Sequence, residues 1–295
     1  MVTTHLHSAN ELIEREIRSR AGKVETILRA DVLTYSGPIH DGAQALLKLA
    51  VESMKPQSRR TRLVVCLETY GGFIEVAERI ANTFRHHYKF VDFIVTTYAM
   101  SAGTVLVMSG DEVYMDYSAT LGPIDPQLPR GDQMPVPALG YLRQYERLIE
   151  KSRQGQLTQA EMAILLNNFD PGELYHFEQA RDLSVELLKD WLVKYKFKNW
   201  KVKETQGTKV TLADKRARAE EIALKLNDTD RWHSHSRGIS MAVARKDLNL
   251  RINDLDDVPE LKENLYAYHD LLLEYRYKLG HQAFAVDWVG GYHGH

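Results

Sequence analysis

Cysteine is almost missing: the 295 residues contain one, Cys66. A lone thiol excludes an intrachain disulfide framework and any zinc or iron–sulfur site built from several cysteines. Cys66 lies inside the apolar run Arg62–Leu67, where a free thiol reads as packing material, and the chain reads as one from a reducing compartment, the cytoplasm. An excess of either charge is also missing, because 38 Lys+Arg against 40 Asp+Glu leave a formal net charge of −2. The electrostatic footprint of a nucleic-acid binder is therefore not there. No uninterrupted apolar run reaches the ~18 residues of a membrane span. The segment Met1–Arg20 lacks the apolar stretch of a secretory signal, so no membrane anchor is expected. What is present is 44% hydrophobic and 26% charged residues, the balance of a globular protein with a sizeable core.

Hydrophobic periodicity divides the chain into two styles. Asn10–Arg20 reads as a charged helix and Thr26–Tyr35 as a strand stopped by Ser36-Gly37-Pro38. Ala43, Leu46, Leu47 and Ala50 keep helical spacing, and Arg62–Leu67 is a short continuous apolar run of the kind covered on both faces. Ala77, Ile80, Ala81 and Phe84 share a helical face, Val91–Thr97 alternates as a strand, a helix starts directly after Ser101, and Glu112–Asp116 reads as a further strand. Strand–helix alternation at this density predicts right-handed crossovers and a mostly parallel sheet. Beyond the Pro-rich loop Pro123–Pro137 the pattern turns helical. Thr158 with Glu161 forms a capping box, and Thr211 with Asp214 and Ser240 mark further helix starts. Leu261, Leu265, Tyr268, Leu272, Tyr275 and Leu279 make an a/d seam, which suits packing on the chain's own body or a helical subunit contact. The expected organisation is one domain over residues 1–280, with an α/β body at about 23–130, a helical annex at about 138–280, and a Gly/His-rich tail at 281–295.

Two turns carry the chemistry. Glu68-Thr69-Tyr70-Gly71-Gly72-Phe73 and Tyr98-Ala99-Met100-Ser101-Ala102-Gly103 each join a strand to a helix, at the strand ends where parallel sheets bind ligands. A serine on such a turn is presented outward with the next amide beside it, and a neighbouring Gly-Gly turn can bring a second amide close. A hydroxyl and two amides are the minimum for acyl transfer. Glycine turns after strands are also common for backbone reasons alone.

These segments resemble the Clp-fold serine peptidases of the Clp/crotonase superfamily, and among them the serine dehydrogenase proteinases, relatives of signal peptide peptidase A. The resemblance rests on Tyr70-Gly71-Gly72, Ala99–Thr104, Asp111–Asp116 and Leu121–Gln127. It covers Ile27–Ile124 well and continues loosely to Phe177. It implies a fold of repeated β-β-α and βαβ units with a mostly parallel sheet and a helical C-terminal annex. It implies Ser101 as nucleophile, and the amides of Gly72 and Ala102 as oxyanion hole. It also implies a peptide or protein substrate, a homo-oligomer of trimers or multiples of them, an unfoldase partner by analogy with Clp systems, and no cofactor.

The general base stays open at this stage. In the Clp protease proteolytic subunit it is a histidine about two dozen residues after the serine, whereas here that neighbourhood is Leu121–Gln127, without histidine. Signal peptide peptidase A relatives use a lysine, and Lys151, in Glu150-Lys151-Ser152-Arg153 ahead of Leu157-Thr158, stands 50 residues after Ser101. A lysine serves as base if burial disfavours its ammonium; most lysines are solvated instead. Asp125 is a second candidate, although Asp125-Pro126 also simply shapes a turn. His235, in Trp232-His233-Ser234-His235, is a third. His233 and His235 share a face if extended, but no cysteine or carboxylate beside them completes a ligand set, and no metal is expected. Lys194–Lys203 interleaves lysines with Tyr195, Phe197 and Trp200, a pattern found in single-strand binders and in half-buried strands guarded by lysines. With the near-neutral charge, no nucleic-acid partner is expected. The alternatives to a peptidase are a crotonase-type acyl-CoA enzyme, which uses paired amides without the serine, and a non-catalytic scaffold of the same fold.

Overall fold

Helix α1 (Ala9–Leu28) opens the described chain and runs further than its charged start suggests. The computed structural model describes residues 8–124, 127–130, 133–203, 207–232, 234, 237–287 and 291–294, with backbone alone for 127–130, 133–137, 229–230 and 287. Ser8 and Glu11 cap α1 reciprocally, and Arg29, in the left-handed region at φ 51°, ends it. Ile17, Ala21 and Val24 carry the buried helical face past Arg20, and the helix runs on to Leu28, inside the segment expected as strand, so β1 (Asp31–Ser36) starts only after the cap. Then follow α2 (Asp41–Met54), β2 (Arg62–Thr69), α3 (Ile74–His87), β3 (Phe90–Ala99), α4 (Ala102–Met108), β4 (Val113–Met115) and β5 (Thr120–Leu121). Strands β1 to β4 pair in parallel in chain order, as the alternation of strands and helices requires.

The Pro-rich segment forms a hairpin of β6 (Gln127–Arg130) and β7 (Gln133–Pro137) rather than a loop throughout. Pro129, Pro135 and Pro137 fall in this two-stranded ribbon, where every strand is an edge and a missing N–H costs little. Helices α5 (Ala138–Arg153), α6 (Gln159–Asn168), α7 (Pro171–Trp191), α8 (Leu212–Leu226) and α9 (Thr229–Trp232) come next. The Thr158/Glu161 and Thr211/Asp214 boxes cap α6 and α8. Lys194–Lys203 is not a strand: Leu192–Lys196 extends α7 as a π-helical turn with Phe197 buried beneath it. Strand β8 (Ile239–Ser240), α10 (Met241–Asp247), β9 (Asn253–Asp254) and α11 (Pro259–Leu279) complete the annex, and β8 and β9 join the main sheet. The segment expected as a tail ends instead in β10 (Phe284–Asp287) and β11 (Gly291–Gly294), with β10 antiparallel to β1. Ala283, Phe284, Ala285 and Val286 are buried there, a short apolar run hidden by the Gly- and His-rich composition around it.

Alternate strand residues face opposite layers. Leu33, Leu63, Val65, Phe93 and Val95 pack with α2, α3, α4, α7 and α8. Val32, Val64, Cys66 and Ile94 pack with α1 and α11. Burial pushes the Cys66 thiol up to about 12, so it is inert scaffold. Leu261, Leu265, Tyr268, Leu272 and Tyr275 are all buried in that second layer, and each of the three leucines contributes about 1.5–3 kcal/mol by leaving water. The α11 seam is therefore used within the chain and is not spare for a subunit contact. Among the described residues no helix is long and apolar enough to cross a membrane.

Candidate active site

The carboxyl ends of β2 and β3 stop side by side. Met100 N donates to Thr69 O at 2.9 Å, which ties the turn after β3 to the end of β2. Gly71 adopts φ 100° and Gly72 φ 150°, and the space around them is closed. A Cβ on Gly71 would lie 2.7 Å from Met100 O and 2.9 Å from Ser101 Cβ, and one on Gly72 would lie 2.1 Å from Ile39 O. Only glycine lets the two turns come this near. Ile39 N donates to Gly71 O at 2.8 Å, and Phe73 N to Ile39 O at 2.9 Å. Those two bonds flank Gly72, whose own amide makes none with Ile39.

Ser101 stands at the sharpest point of the second turn, with φ 52° and ψ −120°, directly before α4. A non-glycine residue held at positive φ is strained by about 1–3 kcal/mol and persists where its surroundings over-determine it. Here the restraint is visible. Gly103 N bonds Met100 O at 2.8 Å, and Thr104 Oγ1 donates within reach of Ala99 O and Gly122 O, at 2.7 and 2.9 Å. Ser101 is 3% exposed, while Tyr70 and Phe73 on either side of the Gly-Gly pair are exposed. Among the described residues, neither the Gly72 nor the Ala102 amide is taken up by a hydrogen bond. Among the described residues, the arrangement puts two amides without a hydrogen bond and the Ser101 hydroxyl on adjoining turns.

The base candidates fare differently. Lys151 lies in the last turn of α5, and its ammonium is paired with Glu161, the capping-box residue of α6. Its hydrogen-bond partner is thus Glu161 and not Ser101. The bond from Lys151, with two more from Thr158, holds the Glu161 carboxyl down at about 2. Asp125 and His235, with His233, lie outside the described residues. Of the resemblance motifs, Asp111 and Asp116 are structural. Burial pushes the Asp111 carboxyl up, but Lys198, the Val91 amide and Arg85 outweigh it and hold it below the usual range. Asp116 binds the Ser118 and Ala119 amides at 2.8 and 2.9 Å and shapes the turn into β5.

One group escaped sequence reasoning. Glu68, 6% exposed, closes a polar cluster beneath the Gly-Gly turn with Ser36, Thr97, His269 and Arg276. Burial pulls the His269 imidazole below its usual value despite that carboxylate. The signal was an acid ending a strand otherwise covered on both faces; its partners on α11, about 200 residues along the chain, were invisible to local pattern.

A mostly parallel sheet between helical layers, with two interlocked turns at its carboxyl edge and a serine on one of them, defines a Clp-like α/β protein. A model of the ClpP-like SDH-type serine proteinases matches residues 38–214, and the chain belongs to that family. An uncharacterized protein of Methanocaldococcus jannaschii, MJ1495, is 29% identical over 202 residues, or 66% of this chain and 63% of that protein. A second from the same organism, MJ0137, is 37% identical over 84 residues, 28% of each chain. The matched part thus spans less than two thirds of either relative. Two solved structures of variants of the 1510-N membrane-bound stomatin-specific protease, one with a substrate peptide, align with 79% of this chain. They cover 82% and 78% of those chains at 14% and 13% identity, with TM-scores of 0.47 and 0.48.

Proposed function

We propose that this chain is a serine peptidase acting on peptide or protein substrates through a Ser101 acyl-enzyme. The observation that carries the reading is Ser101 held at φ 52° against the Gly71-Gly72 turn, a strained placement for a residue other than glycine. Ser101 Oγ attacks the scissile carbonyl carbon as its proton passes to the base. The carbonyl oxygen takes up the electron pair and accepts hydrogen bonds from the Gly72 and Ala102 amides. Collapse of the tetrahedral intermediate expels the amine, which takes the proton, and water then hydrolyses the ester. The Ser–Lys version, with Lys151 as base, rests on the family resemblance and requires Lys151 to exchange Glu161 for Ser101. Asp125 and His235 are its rivals.

A homo-oligomer fits helix α6, none of whose residues is buried and which exposes Met162, Ile164 and Leu166. A serine only 3% exposed takes an extended strand and not a folded domain, so unfolded segments or an unfoldase partner supply the substrate. A crotonase-type enzyme has no use for a strained hydroxyl between its amides. The test is labelling with a fluorophosphonate probe. The wild type is expected to react at one residue and Ser101→Ala not at all. A wild type that stays unlabelled in its native assembly removes the nucleophile.

A further inference from the structure

The pairing of β2 with β3 slips at one place. Partners run in register from Arg62↔Phe90 to Leu67↔Val95 and resume at Thr69↔Ala99. A single β2 residue, Glu68, therefore faces three of β3: Thr96, Thr97 and Tyr98. The slip decides where the serine falls. With the first register extended, Ser101 would stand level with Phe73; with the second it stands level with Gly71. The near contact of Gly71 with Ser101 Cβ is the second register made visible.

Glu68 stands at that slip. Thr97 Oγ1, the middle of the bulge, donates to Glu68 Oε2. On the other side Ser36 Oγ donates to Oε1 at 2.8 Å, so one carboxylate spans three strand ends. Helix α11 closes the cluster. Arg276 Nη1 lies 3.6 Å from Oε1 and donates to Ser36 Oγ at 2.9 Å, and His269 Nε2 lies 3.8 Å from Oε2. Tyr98, the last bulge residue, stacks on Tyr70 with ring centroids 4.2 Å apart, tying the two turns together again. A carboxylate this buried is costly unless its acceptors are filled, and here Ser36, Thr97 and the Arg276 and His269 side chains face it. Its placement at the slip gives that carboxylate a part beyond packing.

We propose that Glu68 is a positioning residue, pinning the β3 bulge through Thr97 so that Ser101 stands level with the Gly71-Gly72 turn, with α11 as its anchor through Arg276 and His269. The inference rests on the reading of Ser101 as nucleophile for its catalytic consequence, and on the register alone for its structural one. Two measurements on the full chain separate these. Thr97→Val removes the hydroxyl at nearly constant volume, Thr97→Ser returns it, and Glu68→Gln removes the charge that Arg276 faces. Fluorophosphonate labelling and kcat on a fluorogenic peptide are expected to fall about 10-fold or more in Thr97→Val and Glu68→Gln with KM unchanged, since small misplacements of this kind cost up to ~100-fold. Thr97→Ser is expected to regain most of the rate. Hydrogen exchange at the Met100 amide, which bonds Thr69 O, is expected to quicken about 5-fold, the equivalent of the ~1 kcal/mol of one pinning bond. Wild-type exchange in both Thr97→Val and Glu68→Gln overturns the proposal, as does wild-type labelling in both when the wild type reacts. A wild type that never reacts, with exchange still quickened, keeps the pin and removes the nucleophile.

Discussion

Gly72→Ala tests the site most directly, because the structure says what the added methyl meets. The new Cβ would lie 2.1 Å from Ile39 O and 2.8 Å from Ile39 C, where carbon and oxygen keep about 3.3 Å even in their closest favourable contacts. A shift of about 1 Å is therefore forced, and it cannot fall on Ile39, which is 1% exposed. The turn must move, breaking the bonds Ile39 N–Gly71 O and Phe73 N–Ile39 O at 2.8 and 2.9 Å. Two bonds at ~1 kcal/mol each and overpacking of ~1–3 kcal/mol give a loss of about 3–5 kcal/mol. For 295 residues the unfolding entropy is about 0.6 kcal/mol per degree, so the melting temperature drops by roughly 5–8 °C. The protein still folds at 25 °C, since stabilities run to about 5–15 kcal/mol. Labelling of Ser101 is expected to slow by ~100-fold or more as one oxyanion donor moves away. Thermal denaturation by circular dichroism and fluorophosphonate kinetics measure both. A melting temperature within a degree of wild type, with labelling within about threefold, would refute the closed geometry and the role of the amide together.

Lys151→Met is expected to slow labelling by about 100-fold, the usual worth of a general base, while Glu161→Gln, which leaves the amine without its ion-pair partner, speeds it at pH 7; a wild-type rate in Lys151→Met removes this residue as base. Glu161 and Asp214, each held at about 2 by a lysine and a cap threonine, have folded values below the unfolded ones, so their caps are in force above about pH 4.5 and are lost as pH falls towards 2. Fraying of α6 and α8 over that window, followed by NMR, checks this; helices unchanged down to pH 2 contradict it. Lys196 Nζ is buried with no hydrogen-bond partner among the described residues, and burial pulls its amine down to about 8. Its cost to the fold is present below pH 8 and is relieved as pH rises towards the unfolded value of ~10.4. Lys196→Met is expected to gain ~1–3 kcal/mol at pH 7, an advantage that narrows above pH 8; urea melts at both pH values measure it, and a destabilised variant at pH 7 contradicts the account.

What could be read from sequence was what neighbouring residues decide among themselves. The capping boxes at Thr158 and Thr211, the apolar strand Arg62–Leu67, the two turns at Gly71-Gly72 and Ser101, and the parallel order of the strands needed only local chemistry and the handedness of crossovers. The errors have one origin. The start of β1, the π-helical turn at Leu192–Lys196 and the closing strands β10 and β11 lie where local composition points one way and burial another. Local pattern cannot weigh what β10 gains from pairing with β1, because the partner is about 250 residues away in the chain.

The family, the nucleophile candidate and the turn that faces it were therefore written in short runs of residues. How near those turns stand was decided only in three dimensions, by a register slip worth two residues and a carboxylate bridging three strands and a distant helix. The pairing of Lys151 with Glu161 belongs to the same category. A sequence names which groups are available, but distance, burial and the competing partner of each charge arise only when the chain has closed on itself.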